Sequence, residues 1–303
     1  MFGFDKLGFD TFPKLQFYYW GGIPDALQKL GCRVVVTKVP STGTIAERAA
    51  VLNEFLVKTL DKNQEVNFLA HSMGGLDCRH LISHIKPTHY HPVSLTTIST
   101  PHRGSSFMDF CRDYLGLGRI SPTKSTTSKE DTKAHVERQS TGRPPSLRKE
   151  TTEQVNAINS LSSTILTHTM LARTLDTPAY ANLTTTFLEN TFNPMTPNDP
   201  RVEYYSLGAV IPKSEKEVDG GLPLWHPLYL PHRVVTEREG RDNDGLVSIK
   251  SASWGKFIGQ LACDHWDLRN GGLAGVPEKE TDKGFDTLGL WRGLSTFLYR
   301  EGF

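Results

Sequence analysis

Val66-Asn67-Phe68-Leu69-Ala70-His71-Ser72-Met73-Gly74-Gly75 reads as a short apolar strand that runs straight into a tight turn and then opens a helix. A serine hydroxyl is a poor nucleophile at neutral pH and must be lifted clear of a sheet, beside a base, before it can attack a carbonyl. A strained strand-to-helix turn does this. Ala70 and Gly74 lie two residues before and two after the serine, where strand and helix crowd each other, and Ala70 stands where the usual pattern has glycine. The competing reading is a surface serine in a Gly-rich loop. The strand before and the helix after favour Ser72 as the nucleophile of a serine hydrolase that cleaves carboxylic esters.

The pattern continues outward on both sides. Upstream, Arg33-Val34-Val35-Val36-Thr37-Lys38-Val39 is short and β-branched and is closed by Pro40, which predicts a buried strand. Thr44-Ile45-Ala46-Glu47 is a capping box, and Ile45, Ala49, Leu52 and Leu56 give the helix it opens one apolar face. Downstream, Leu76, His80 and Ile85 belong to a second helix ended near Pro87, and residues 93–99 make a third strand. Strands alternating with helices imply a doubly wound, mostly parallel α/β sheet. Tyr204-Tyr205-Ser206-Leu207-Gly208-Ala209-Val210 is a later strand. Residues 285–299, with Leu288, Trp291, Leu294 and Leu298, form a closing helix.

The 303 residues fit one domain, 1–303, with a lid or cap insertion at 112–200. Residues 120–153 are Ser, Thr, Lys, Arg, Glu and Pro with almost no large apolar side chain, too little to offset the entropy of ordering, so disorder is expected there. Order is expected to resume over 155–171. Thirty-four Lys plus Arg against 33 Asp plus Glu give a net charge of +1 and no basic surface for nucleic acid. No apolar run approaches the roughly 20 residues of a membrane-spanning helix, and the first residues have no signal-peptide pattern. Cys32, Cys78, Cys111 and Cys263 show no CxxC spacing, which argues against zinc and predicts reduced thiols and a cytoplasmic protein. The sequon Asn182-Leu183-Thr184 is of a kind that arises often by chance.

In this fold the acid and base follow the serine in the order carboxylate, then histidine. Arg241-Asp242-Asn243-Asp244-Gly245 offers a carboxylate on a turn, with Asp244 chosen and Asp242 the fallback, and Asp264-His265-Trp266-Asp267 offers His265 as the base. The Met73 amide is the first oxyanion donor.

With these pieces the chain resembles lipases of the bacterial true-lipase type, as a divergent fungal relative. The matching motifs are Gly3-Phe4-Asp5, Tyr19-Trp20-Gly21-Gly22-Ile23-Pro24-Asp25-Ala26-Leu27, Val36-Thr37-Lys38-Val39, the Ser72 elbow, Pro101-His102-Arg103-Gly104-Ser105, Tyr204-Tyr205-Ser206, Asn243-Asp244-Gly245-Leu246-Val247 and His265-Trp266-Asp267. The resemblance implies the α/β-hydrolase fold, the triad Ser72, Asp244 and His265, and Asp244 over Asp242. It implies a lipid or ester substrate, most of all acylglycerols, with peripheral contact with lipid surfaces, no nucleic acid and no cofactor. Rival readings are an acyltransferase or thioesterase with the same triad, or a non-catalytic relative.

Two departures stand out. In the family the second oxyanion donor lies in a His-Gly-x-x-Gly loop after an early strand, and Met1-Phe2-Gly3 matches only its end, which puts Met1 at the donor position. The early N-terminal strand is lacking, which reads as an incomplete gene model or a shortened isoform of low activity. The family's calcium site would use Asp267, but Gly271 replaces the glutamine expected four residues later, so no metal is expected, and the family's disulfide finds no partners.

Other features carry blander expectations. His71 reads as a packing or entrance residue, and His102 as part of a structural loop. His80 and His84 read as a solvated face. The run 225–232 is a pocket wall or an ordinary packed loop. Phe187, Leu188 and Phe192 either face an acyl chain or pack in the core.

Overall fold

A computed structural model describes residues 6–7, 17–117, 177–213, 222–270, 272–273 and 284–303. The expectations for Met1, for the disordered stretch 120–153, for the return of order over 155–171 and for Gly271 lie outside these residues.

Strand and helix alternate along the chain. A small antiparallel sheet joins β1 (Lys6–Leu7), β2 (Phe17–Tyr18) and β7 (Gly272–Leu273). The main sheet holds β3 (Gln64–His71), β4 (Tyr90–Ile98), β5 (Glu203–Val210) and β6 (Lys256–Ala262) in that spatial order, all parallel. Helices α1 (Ile23–Gln28), α2 (Ile45–Thr59), α3 (Gly74–His80), α4 (Ser106–Leu115), α5 (Tyr229–Glu239) and α6 (Thr287–Glu301) pack around it. The capping box at Thr44 forms in full: the Thr44 amide donates to Glu47 Oε2 at 2.8 Å and the Glu47 amide to Thr44 Oγ1 at 3.2 Å.

The two-residue period of the strands sorts side chains onto two core layers. Phe68 and Ala70 of β3, Leu95 of β4 and Tyr204 of β5 join the layer under α2 and α3. Leu69, Ile98, Leu207 and Ala209 point the other way, into the layer built on α1 and α6 with Ile23, Leu27, Trp291 and Leu294. Helices on both faces of a parallel sheet are the expected doubly wound arrangement.

Some expectations are corrected. Residues 33–39 pair with no strand among those described, yet Val35 and Val39 reach one core layer and Val34 the other. The β-branched alternation reports where the side chains go, not a ladder. Helix α3 gives way to a π-turn at Leu81–Ile85 before Pro87. Leu188 and Phe192 are buried with Ile45, Met73, Leu76 and Met108, so they are core rather than acyl-facing surface, and Phe187 packs half-buried on them. Asn182 is buried and accepts from the Ile45 amide at 2.8 Å, which leaves the sequon no room for a glycan.

Candidate active site

Ser72 follows the last residue of β3 and precedes α3, with φ of +56°. This left-handed conformation costs a non-glycine residue roughly 1–2 kcal/mol and persists only where the surroundings impose it. They do so from β4: the Ser72 amide donates to Ile98 O at 3.0 Å, and Thr100 Oγ1 donates to Ser72 O at 2.7 Å. The tightest approach falls one residue later than the sequence pattern suggests. A Cβ on Gly75 would lie 2.3 Å from Thr100 Oγ1 and 2.8 Å from Thr97 Cγ2, whereas one on Gly74 would meet only Ala70 Cβ, at 4.0 Å. Among the described residues the Met73 amide has no acceptor, so it is free to serve a ligand.

Ser72 Oγ lies 3.0 Å from His265 Nε2, and His265 Nδ1 lies 2.8 Å from Asp244 Oδ2. A carboxylate only accepts, so the imidazole proton sits on Nδ1 and Nε2 is left to accept from the serine hydroxyl. Asp244 is held by its own turn: Oδ1 accepts from the amides of Leu246 at 3.0 Å and Val247 at 2.8 Å. The His265 amide in turn donates to Asp244 O at 2.9 Å, so acid and base loops are tied by backbone as well. All three residues are buried. Asp242, the fallback, is exposed and takes no part in the relay.

Two supports of the site escaped the sequence reading. Asn243 is fully buried and uses its whole side chain: Oδ1 accepts from the Gly245 amide and bonds His232 Nδ1, while Nδ2 donates to Thr236 Oγ1 and Gly240 O. It fastens the turn to α5, in the stretch 225–232 where the sequence offered a pocket wall or a packed loop. Leu228, Pro231 and His232 pack inward there, while Leu224, Trp225 and Leu230 are exposed. Arg48 and Asp77 form a buried ion pair at 2.7 Å that ties α2 to α3, the helix behind the nucleophile.

His71 shares a 2.9 Å hydrogen bond with Tyr19 through Nδ1, and its ring centre lies 4.6 Å from that of His265. Burial, with His265 adding to it, holds the His71 imidazole well below the usual histidine range. Burial pushes the Tyr19 phenol up to about 12. His102 is buried and structural, between Thr97 Oγ1 and the Arg79 guanidinium. His80 stacks on His84, which is exposed. No group of three or more metal-ligating side chains occurs among the described residues. Asp267 lies beside Asp264, whose amide donates to its Oδ2 at 3.3 Å. The four cysteines are unpaired thiols.

Ser72 thus stands at the end of a parallel strand with its acid and base on later loops, and the fold that carries them is shared with solved structures. The fold superposes on a metagenomic carboxyl esterase with a TM-score of 0.62 at 16% identity, covering 94% of this chain and 71% of that one. It superposes on Staphylococcus hyicus lipase with a TM-score of 0.55 at 18% identity, covering 93% and 90%. The chain has the α/β-hydrolase fold. Residues 43–134 of this chain match the family model described as "Putative serine esterase (DUF676)". Over 265 residues it is 36% identical to triacylglycerol lipase 2 of Saccharomyces cerevisiae, which covers 84% of this chain and 63% of that protein. Over 104 residues it is 36% identical to a triacylglycerol lipase of Pseudarthrobacter phenanthrenivorans, 32% of this chain and 31% of that one. The chain thus spans less than two thirds of the length of either relative.

Proposed function

We propose that this hydrolase cleaves carboxylic esters, most of all acylglycerols, as a serine lipase or esterase working through an acyl-enzyme. The observation that carries this reading is the unbroken relay from Ser72 Oγ through His265 to Asp244. In the first half-reaction Ser72 Oγ attacks the ester carbonyl carbon while His265 Nε2 takes its proton. The carbonyl π pair moves to oxygen, where the Met73 amide meets the charge. Collapse breaks the bond to the alcohol, which leaves with the proton from His265. Water then repeats the cycle on the acyl-serine and releases the acid. Asp244 keeps the Nδ1 proton in place and stabilises the imidazolium, and with three hydrogen bonds on its carboxylate it needs no rearrangement to do so.

Acylglycerols gather at lipid surfaces, and the surface beside the site suits one. Leu224 and Trp225 are 78% and 81% exposed, and Trp266, next to His265, is also exposed. His226 Nε2, 3.5 Å from Asp264 Oδ2, ties this apolar segment to the loop of the base. Tryptophan is favoured where an apolar body meets a wet rim.

The test is hydrolysis of short- and long-chain acylglycerols together with labelling by a fluorophosphonate. Ser72→Ala is expected to abolish both, and Asp244→Asn to lower kcat about 10³–10⁴-fold, while Asp242→Asn keeps most activity. A folded protein that neither labels nor hydrolyses would show that the relay is not catalytic.

A further inference from the structure

His71 stands at the end of a column of aromatic rings that leads from the back of the molecule to the base. Trp291 of α6 meets Trp20 edge-on with ring centres 5.1 Å apart, Trp20 meets Tyr19 at 4.9 Å, and Tyr19 Oη bonds His71 Nδ1 at 2.9 Å. The His71 ring then rests on His265, 4.6 Å between centres and tilted by 41°. The two nitrogens of His265 are taken by Ser72 and Asp244. These bonds fix the ring at its two edges, and His71 covers a face.

His71 Nε2 is buried with no well-formed hydrogen bond among the described residues, and the ring feels only a weak pull from the His265 backbone. A buried polar atom left unpaired costs stability that an apolar ring of the same shape would not. Packing alone therefore does not explain a histidine here. The ring contact with His265 does offer a reason, because that imidazole must turn and carry charge within each catalytic cycle.

Resting on the serine-hydrolase reading above, we propose that His71 is a positioning residue: anchored by Tyr19, its uncharged ring holds the His265 imidazole at the angle that aims Nε2 at Ser72. The ring must stay uncharged because His265 becomes an imidazolium during acylation, and a second cation in ring contact would oppose that step. Burial supplies the neutrality, and the protonated Tyr19 phenol supplies the anchor.

The test compares Tyr19→Phe, His71→Phe and the double variant. Each is scored for kcat and KM on a soluble ester, after titration of active sites with a phosphonate, and for thermal stability. Tyr19→Phe keeps the ring and removes the hydroxyl that bonds His71. We expect it to lower kcat about tenfold with KM within twofold, with His71→Phe similar and the double variant no worse than either single one, because the two residues act as a unit. The acid limb of kcat/KM is expected to follow a single proton in the parent and to stay in place in His71→Phe. Unchanged kcat per titrated site in Tyr19→Phe, multiplicative losses in the double variant, or a two-proton acid limb that becomes one-proton in His71→Phe would each overturn the proposal. If the parent hydrolyses esters and the variants match it, only the positioning role fails. A parent that neither labels nor hydrolyses overturns both readings.

Discussion

Adding one methyl group at Gly75 and adding it at Gly74 should have opposite effects, although the two glycines are neighbours in the first turn of α3. A Cβ at Gly75 would stand 2.3 Å from Thr100 Oγ1, 2.7 Å from Thr100 Cγ2 and 2.8 Å from Thr97 Cγ2, all inside contact distance. Both threonines are buried and neither can swing into solvent. Thr100 must therefore move, and with it goes the bond it donates to Ser72 O. Overpacking of this kind costs about 1–3 kcal/mol, and the lost hydrogen bond about 1 kcal/mol more. The gain from replacing glycine by alanine in a helix returns at most about 1 kcal/mol. The net expectation for Gly75→Ala is a loss of about 1–3 kcal/mol, together with a lower labelling rate at Ser72 because the elbow shifts. Gly74→Ala meets only Ala70 Cβ at 4.0 Å, so the helix gain stands alone and stability should rise by up to about 1 kcal/mol. Urea denaturation followed by tryptophan fluorescence, with phosphonate labelling rates on the same samples, reads both. Equal stability changes in the two variants, or a Gly75→Ala enzyme that labels at the parental rate, would refute the close approach of helix and strand as the constraint on the elbow.

Two further expectations concern the buried charges. His71 and His102 are held neutral well below the usual histidine range, chiefly by burial, so the unfolded chain binds more protons than the native one and stability rises with pH. That stability is whole above the unfolded value near 6.5 and falls as pH drops below it: at pH 5.5 each ring should cost about 1.4 kcal/mol, roughly 3 kcal/mol for the pair. Asp77, whose carboxyl burial raises against the pull of Arg48, works in the other direction toward the acid end. Urea midpoints at pH 7.5, 6.5 and 5.5 check the slope, and a flat profile would count against neutral buried rings. Arg48→Met strands the Asp77 carboxylate in the core and should cost about 3–5 kcal/mol. Arg48→Met with Asp77→Leu should recover most of that loss, and a double variant no more stable than the single one would show that the pair is not a unit.

Much of this molecule is legible in the sequence because local pattern and global fold agree there. The strand into Ser72, the Thr44 capping box and the apolar stripe of Trp291, Leu294 and Leu298 each carry a short-range signature that the packed structure uses as written. The three residues that the structure joins in a relay were legible for a different reason: the fold restricts the order of acid and base, and the family resemblance, not spacing, favours Asp244 over Asp242. What escaped is long-range. Strand β6, Lys256-Phe257-Ile258-Gly259-Gln260-Leu261-Ala262, is broken by a glycine and carries two polar residues, Lys256 and Gln260, which the outer strand of the described sheet tolerates because its faces are only partly covered. Helix α5 hides behind Pro231, which sits in its first turn, where a missing amide donor costs nothing. Arg48 falls on the apolar face of its helix, three residues after Ile45 and four before Leu52, and only the arrival of Asp77 from another helix shows how a charge is accommodated there. Asn243 reads as a turn residue, and nothing nearby announces that His232 and Thr236 of α5 will claim its side chain.

The hydrogen bond that completes the relay joins residues 193 positions apart. During synthesis, the nucleophile and its elbow leave the ribosome long before the acid loop and the base exist, and α6, which packs behind the base through Trp291 and Leu268, comes later still. A growing or clipped chain ending short of His265 thus carries a serine with no base to take its proton. Reactivity toward a phosphonate then becomes a clock for completion of the relay.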